Sequence, residues 1–248
     1  MWAANSRYYI DEKRIAISSK TFQFADTNSL INKIGQYKKI IVINIKKEKN
    51  IMQYNNTLSY YNSYADEFYK STVNIDFTTM QKHFLTKLKK GSSILDFGCG
   101  SGRDTKYFLE QGYNVEAIDG SEELCKLASE YTGIKVRNIF FQNLSEVDKY
   151  DGIWACSSIL HLPVGELFEV MRKMMIALKK NGIIYTSFKY GIFEGERNGR
   201  YFTDMTEETF AEFLSRIDGL EKEDQWITSD VRPRRGEEKW LNLILRKG

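Results

Sequence analysis

Ile94-Leu95-Asp96-Phe97-Gly98-Cys99-Gly100-Ser101-Gly102-Arg103 is the stretch whose reading decides the fold. A short apolar strand runs into three glycines at alternate positions and then into a helix. Glycine lets the backbone turn sharply and approach a ligand with no Cβ in the way. A dinucleotide loop wants a third glycine where Arg103 stands, and a phosphate-cradling loop ends in Gly-Lys-Ser or Gly-Lys-Thr; neither pattern is met. Asp96, placed before the first glycine, would repel a pyrophosphate but suits an ammonium group. The stretch therefore reads as a binder of a nucleoside with a cationic amino-acid tail.

Downstream, Val115-Glu116-Ala117-Ile118-Asp119 sets an acid at the end of the next strand, 21 positions beyond Gly98. A carboxylate there can accept both ribose hydroxyls. Around this pair, helices over 58–70 and 77–90 precede strands at 93–97, 114–118, 134–140, 152–156, 183–188, 222–229 and 239–246. Helices fall between them at 103 onward, 121–131, 163–180 and 206–217, with Pro163 at the first helical position and Asn181-Gly182 as the stop. Such alternation predicts a largely parallel sheet with right-handed crossovers, and ligands bound beyond the carboxyl ends of its strands. Residues 51–248 form this domain. Residues 1–50 differ in composition, with short strands at 8–10, 14–17 and 40–45 and a helix at 28–34. They read as a small β-rich appendage, joined by the polar run Lys46-Lys47-Glu48-Lys49-Asn50 and followed by Met52, an alternative start.

Asp96, Gly98, Gly100, Gly102 and Asp119 together resemble the class I, Rossmann-like S-adenosylmethionine-dependent methyltransferases over residues 58–248. The resemblance implies a three-layer α/β sandwich with a mostly parallel seven-stranded sheet, its last strand antiparallel, and S-adenosylmethionine as cofactor, released as S-adenosylhomocysteine. Matching positions extend the cofactor set to Cys99, Arg103, Gly120, Asn143, Leu144 and Ser157, with Asn143 where the family usually carries an Asp at the adenine amino group. Asp151-Gly152-Ile153-Trp154 matches the acid that opens the fourth strand. Tyr61-x-x-x-Ala65-x-x-Phe68 resembles the aromatic helix covering the cofactor in small-molecule members, although a helix simply packed on the core explains it as well. The overall look is similar to the tellurite and thiopurine types.

The acceptor is read from what surrounds the end of the fourth strand. Cys156-Ser157-Ser158-Ile159 lacks the Pro-Pro signature of exocyclic-amine methylases, and no Pro-Cys pair occurs for cytosine-carbon chemistry, so nucleic acid is disfavoured. His161 is the one histidine there, a base or substrate-orienting group, with a cap of the following helix as the blander role. Two arginine-bearing loops follow the fifth and sixth strands, at 190–203 with Arg197 and Arg200 and at 229–239 with Arg232, Arg234 and Arg235. Guanidiniums at that edge could clamp an anion, unless they pair with Glu194, Glu196, Glu237 and Glu238. Tyr61, His161, Arg197 and Arg200 are the catalytic candidates. The expected substrate is a small, anionic or thiol- or chalcogen-like molecule. The alternatives are a tRNA or protein methyltransferase docking through residues 1–50, and a cofactor-binding regulator without turnover.

Bulk properties agree with a globular enzyme. The 248 residues are 42% apolar and 28% charged, with a net charge of +3, too mild for a committed polyanion binder. Three cysteines and two histidines without metal-like spacing argue against a disulfide framework or a metal site. The longest apolar run, 40–43, is too short to span a bilayer. A reduced, cytoplasmic protein, monomeric or homodimeric and free of membrane, is the expectation.

Overall fold

The computed structural model describes residues 56–248. The expectations for residues 1–50 and for Met52 lie outside the described residues. After helical residues 56–63, the chain forms α1 (Ala65–Thr72), α2 (Thr78–Leu85), β1 (Ser93–Phe97), α3 (Arg103–Glu110), β2 (Asn114–Asp119), α4 (Glu122–Thr132), β3 (Arg137–Asn138) and β4 (Tyr150–Ala155). Then come α5 (Val164–Ala177), β5 (Leu178–Lys189), β6 (Glu194–Arg197), β7 (Arg200–Thr203), α6 (Glu207–Leu214), β8 (Leu220–Ser229) and β9 (Lys239–Lys247). Seven strands make one sheet in the order β3-β2-β1-β4-β5-β9-β8. β1 pairs in parallel with β2 and β4, and β4 with β5. Only β9 runs against its neighbours β5 and β8, so the expected sheet, last strand antiparallel, is the one found.

Register carries the site. Asp96 lies opposite Ala117 and Phe97 opposite Ile118, so β1 and β2 end side by side, with the glycine loop next to Asp119. The central strands are apolar on both faces because helices cover both. Leu95, Phe97, Ile153, Ala155 and Ile184 pack into the larger core cluster, with Leu167, Val170, Met171 and Met174 of α5 against them. Their spacing puts these four side chains on one helical stripe. Each large one contributes about 1.5–3 kcal/mol on burial. On the other face Trp154 stacks on Tyr185 at 3.9 Å and meets Phe84 and Phe108 edge-on.

Several boundaries differ from expectation, most of them for a local reason, and the helix expected over 77–90 ends at Leu85. The helix expected over 58–70 is interrupted at Tyr64, whose backbone (φ −116, ψ 27) leaves the helical region. Pro163 stands before α5 as its cap, not at its first position, and α5 ends at Ala177 instead of Lys180. Its last carbonyls are taken by the N–H groups of Asp148 and Lys149, which frees Leu178 to begin β5 opposite Tyr150. The strand expected over 134–140 shrinks to Arg137–Asn138. Ser129 Oγ accepts the N–H of Val136 just before it, and the chain coils into a short 3₁₀ turn from Phe141 just after. Finally, the stretch after β5 is a hairpin, not a loop: β6 and β7 turn at Asn198 and Gly199, both at positive φ. An Asn-Gly pair is the preferred chemistry of that turn.

Candidate functional site

A cavity opens at the carboxyl ends of β1, β2, β4 and β5. On one side its wall is the glycine loop. Gly98 and Cys99 both donate their N–H to the Ile118 carbonyl, at 2.9 and 3.0 Å, which folds the loop over the end of β2. Gly98, Gly100 and Gly102 all have positive φ. At Gly98 a Cβ would meet Ser158 Cβ at 2.5 Å and the Phe141 ring at 2.9 Å, and at Gly100 it would meet Phe68 at 3.0 Å. The loop is thus a cradle that any side chain would fill. Asp119 completes this wall. Its carboxylate accepts the N–H of Gly100 at 2.9 Å and of Ser121 at 2.8 Å. Burial pushes its carboxyl above the ordinary range, with those N–H groups pulling the other way. Ser121 in turn caps α4, accepting from Leu124 N.

Behind the loop is a buried polar network. Arg103 grips Asp104 through Nε and Nη2, at 2.8 and 2.9 Å. Gln81 and the Trp154 indole donate to the same carboxylate, at 2.6 and 2.8 Å. Burial disfavours charge on Asp104, but Arg103 and these donors outweigh it and hold its carboxyl below the ordinary range. Arg103 lies over the Phe77 ring at 4.5 Å, and Arg103 and Asp104 both face the cavity.

The opposite wall is assembled from distant segments. Tyr61, from helical residues 56–63, meets His161, which follows β4, with Oη to Nε2 at 2.9 Å. His161 Nδ1 is 2.6 Å from the Tyr201 carbonyl. A carbonyl only accepts, so Nδ1 carries the proton and Nε2 accepts the Tyr61 hydroxyl. Burial lowers the His161 pKa to about 4, so the ring is neutral. The Tyr61 hydroxyl is pushed up by burial, with Arg200 opposing. Arg200 Nη1 donates to Tyr61 Oη at 3.4 Å, and its guanidinium lies 4.4 Å from the centre of the Tyr60 ring. The covering helix is tied down by Thr57, whose Oγ1 accepts from Tyr201 N, and by Asn62, which accepts from Ser121 Oγ.

Among the predicted site residues, Gly98, Cys99, Gly100, Arg103, Asp119, Gly120, Ser157, Tyr61, His161 and Arg200 all line this one cavity. Gly102 caps α3 at φ +78. Four candidates stand elsewhere. Asp96 is buried beneath the loop, accepting from Thr105 Oγ1 at 2.6 Å. Burial and the neighbouring Asp104 charge push its carboxyl up, and its bond to Thr105 ties it to α3 outside the cavity lining. Asn143 is exposed and Leu144 faces the core; the short turn at 141–143 presents Phe141 to the cavity in their place. Arg197 reaches Asp204 at 2.5 Å and is not part of the cavity lining, although it stands directly opposite Arg200 in the β6–β7 ladder.

The cavity also takes in residues that were not foreseen. Gln81 and Trp154 acquire a role only through Asp104. Ser187, Lys189, Trp240 and Asn242 line the cavity from β5 and β9 and read in sequence as ordinary strand positions. The loop after β8, expected to bring Arg232, Arg234 and Arg235, reaches the cavity through Asp230, Val231, Arg232 and Arg235, and these two arginines are already paired. Arg232 holds Asp230, and Arg235 holds Glu238. Burial pushes the Cys156 thiol up to about 12, which holds it protonated.

A glycine cradle and an acid at adjacent strand ends of a seven-stranded sheet define a class of nucleoside-binding α/β enzymes. A model of the methyltransferase domain matches residues 94–182. An uncharacterized methyltransferase of Geobacillus is 32% identical over 146 residues, 54% of this chain and 68% of that protein. The N-terminal Xaa-Pro-Lys N-methyltransferase 1 of Rattus norvegicus is 35% identical over 130 residues, 47% of this chain. Among solved structures, the 1,6-didemethyltoxoflavin-N1-methyltransferase of Burkholderia thailandensis, bound to its substrate and S-adenosylhomocysteine, aligns with a TM-score of 0.63. That alignment is 23% identical and covers 77% of this chain and 86% of that one. The chain belongs to the class I S-adenosylmethionine-dependent methyltransferases. It spans 35% of a matched Methanocaldococcus jannaschii protein and 58% of the rat enzyme. Among the described residues no helix is long and apolar enough to cross a membrane.

Proposed function

We propose that this domain transfers a methyl group from S-adenosylmethionine to an oxygen or sulfur nucleophile of a small molecule. The cradle fits the cofactor: Asp119 offers pinned acceptor oxygens, the glycine loop leaves room for close approach, and Leu124 and Phe141 add apolar walls. Asp119 would take the ribose and the glycine loop with Arg103 the amino-acid tail. The bound cofactor supplies a methyl carbon that is already electrophilic, so holding an acceptor in line is the main task left to the protein.

The observation that carries the choice of acceptor is the Tyr61–His161 hydrogen bond. Tyr61 Oη donates to His161 Nε2 and accepts from Arg200 Nη1, so one lone pair is left to accept an X–H proton. A His161 with a pKa of about 4 does not deprotonate a resting acceptor. As an O or S nucleophile gains a methyl group, however, its proton becomes far more acidic than that. The proton then moves to Tyr61 Oη while the Tyr61 proton moves to Nε2. An α-amine, with a pKa of about 8, reaches the site as a cation that neither group relieves. Arg200 repels such a cation, and Xaa-Pro-Lys peptides carry two. This counts against the rat enzyme's kind of substrate despite the sequence likeness.

The test is S-adenosylhomocysteine formation by the purified protein on three acceptors: thiophenols, phenols and an N-terminal Xaa-Pro-Lys peptide. Thiols or phenols should turn over, and Tyr61→Phe should lower kcat about 100-fold with cofactor affinity intact. Faster methylation of the peptide would overturn the reading.

A further inference from the structure

Among the described residues, five arginines and lysines face the cavity, and four of them have carboxylate partners. Arg103 holds Asp104, Lys189 holds Glu238, Arg232 holds Asp230 and Arg235 holds Glu238. In all three of these arginines the Nε–Nη2 edge grips the carboxylate side-on: Arg103 at 2.8 and 2.9 Å, Arg232 at 2.9 and 2.5 Å, Arg235 at 2.5 and 2.8 Å. The fork of two parallel N–H groups matches two oxygens of an oxyanion. Arg200 is the exception. Its Nη1 donates to Tyr61, but among the described residues it has no carboxylate partner, and its Nε is buried with no hydrogen-bond acceptor at all.

A buried N–H left unpaired is destabilising, more so on a charged group. Chance floppiness does not explain it, because the guanidinium is held among aromatic rings: 4.4 Å from Tyr60, 5.3 Å from Phe202 and 5.8 Å from Tyr61. Those rings fix its plane and strip its hydration. A rigid, dehydrated cation that lines the cavity without a carboxylate partner is preorganised for an anion supplied from outside the protein. It sits against the hydroxyl that faces the acceptor.

We propose that Arg200 is the docking point for an oxyanion on the methyl acceptor, so that the substrate is a small anionic molecule whose nucleophile lies within reach of Tyr61. This rests on the methyl-transfer reading above. It replaces the clamp of several arginines expected from the two loops with a single one. The other cations facing the cavity are offset by their own carboxylates, and among the described residues Arg200 is the one left to grip.

The experiment is calorimetry on the full chain, titrated first with S-adenosylhomocysteine and then, in its presence, with sodium benzoate and with inorganic phosphate. Benzoate binding marks a carboxylate-bearing substrate, and phosphate binding a phosphorylated one. Whichever binds should bind at least tenfold more weakly to Arg200→Gln and show an intermediate affinity for Arg200→Lys, which keeps the charge without the fork. Affinity for S-adenosylhomocysteine should stay within twofold in both variants, and that binding also certifies that they are folded. Equal anion binding in wild type and Arg200→Gln overturns the proposal, as does no anion binding to either. So does a loss of S-adenosylhomocysteine affinity in Arg200→Gln, which would give the fork to the cofactor. Failure of wild type to bind S-adenosylhomocysteine is a separate result. It sinks the methyl-transfer reading, while the anion titrations still decide for or against Arg200.

Discussion

On the side of β1 and β2 the cavity is walled by backbone, drawn from one run of residues, 98–102, and an acid one strand away. On the side of Tyr61, His161 and Arg200 it is walled by side chains drawn from three segments that are 100 and 139 positions apart from the tyrosine. Backbone can be approached closely and asks only that side chains be absent, so the first wall tolerates almost no substitution. The second wall is defined by what its side chains offer, so it can be altered without loss of the fold. The first suits a ligand shared by a whole family, and the second suits a ligand peculiar to one member.

The comparison breaks most readily at Gly98. Gly98→Ala places a Cβ 2.5 Å from Ser158 Cβ at a φ of +86. Ser158 cannot retreat freely, because its hydroxyl donates to the Phe97 carbonyl at 2.6 Å. Strain plus overpacking should cost about 2–4 kcal/mol, read as a lower urea midpoint with unchanged slope, and cofactor binding should vanish. A midpoint equal to wild type would mean the loop has slack and is not the rigid wall described.

Asp119→Ala tests the same wall without steric insult. Losing a carboxylate that accepts ribose hydroxyls should cost about 1.5–3 kcal/mol, roughly ten- to a hundredfold in S-adenosylhomocysteine affinity. Calorimetry with NAD as a control ligand checks both strength and selectivity. Binding indifferent to Asp119 would remove the acid from the site.

The two walls also differ in how far sequence exposes them. The first is legible because its parts are local: a strand, three glycines and a helix are contiguous, and Asp119 follows at a distance fixed by one crossover. Predicted residues fall outside the cavity lining where a motif position does not say which way a side chain points. Asp96 has the right spacing, yet its carboxylate turns to Thr105 beneath the loop. Asn143 matches a family position while the 3₁₀ turn hands the cavity to Phe141. In the second wall, Tyr61, His161 and Arg200 carry a signal as residue types, but their meeting depends on tertiary placement. The hairpin that sets Arg200 opposite Arg197 is signalled by Asn198-Gly199, a turn pair hidden inside what reads as a charged loop.

Acidity sharpens the second wall. His161 titrates at about 4 in the folded protein against an ordinary 6.5, so below 6.5 the unfolded chain binds the extra proton and the folded one resists it. Stability from this group is complete above pH 6.5 and is lost as pH falls toward 4. Between pH 7 and 5 the loss should be about 1–2 kcal/mol, from 1.36 kcal/mol per pKa unit. Urea midpoints at the two pH values should converge more in His161→Gln than in wild type. Equal pH dependence in both would place His161 in contact with water, and the Tyr61 relay would lose its buried acceptor.

The smallest effect expected is also the one that separates paired from open cations within the second wall. Arg235 faces the same cavity as Arg200, but Glu238 already occupies its fork. Its side chain is 36% exposed and that of Glu238 34%, the setting in which an ion pair is worth about 0–1 kcal/mol. Arg235→Gln removes a positive charge from the surround yet no open donor, so it should weaken benzoate or phosphate binding less than threefold and leave the urea midpoint nearly unmoved. The contrast with the tenfold loss expected at Arg200 is the quantity of interest. Equal losses at the two positions would mean that net charge around the cavity attracts the anion. A loss confined to Arg200 would mean that the cation without a carboxylate partner recognises it, and the geometry of one guanidinium would then set which acceptors the enzyme takes.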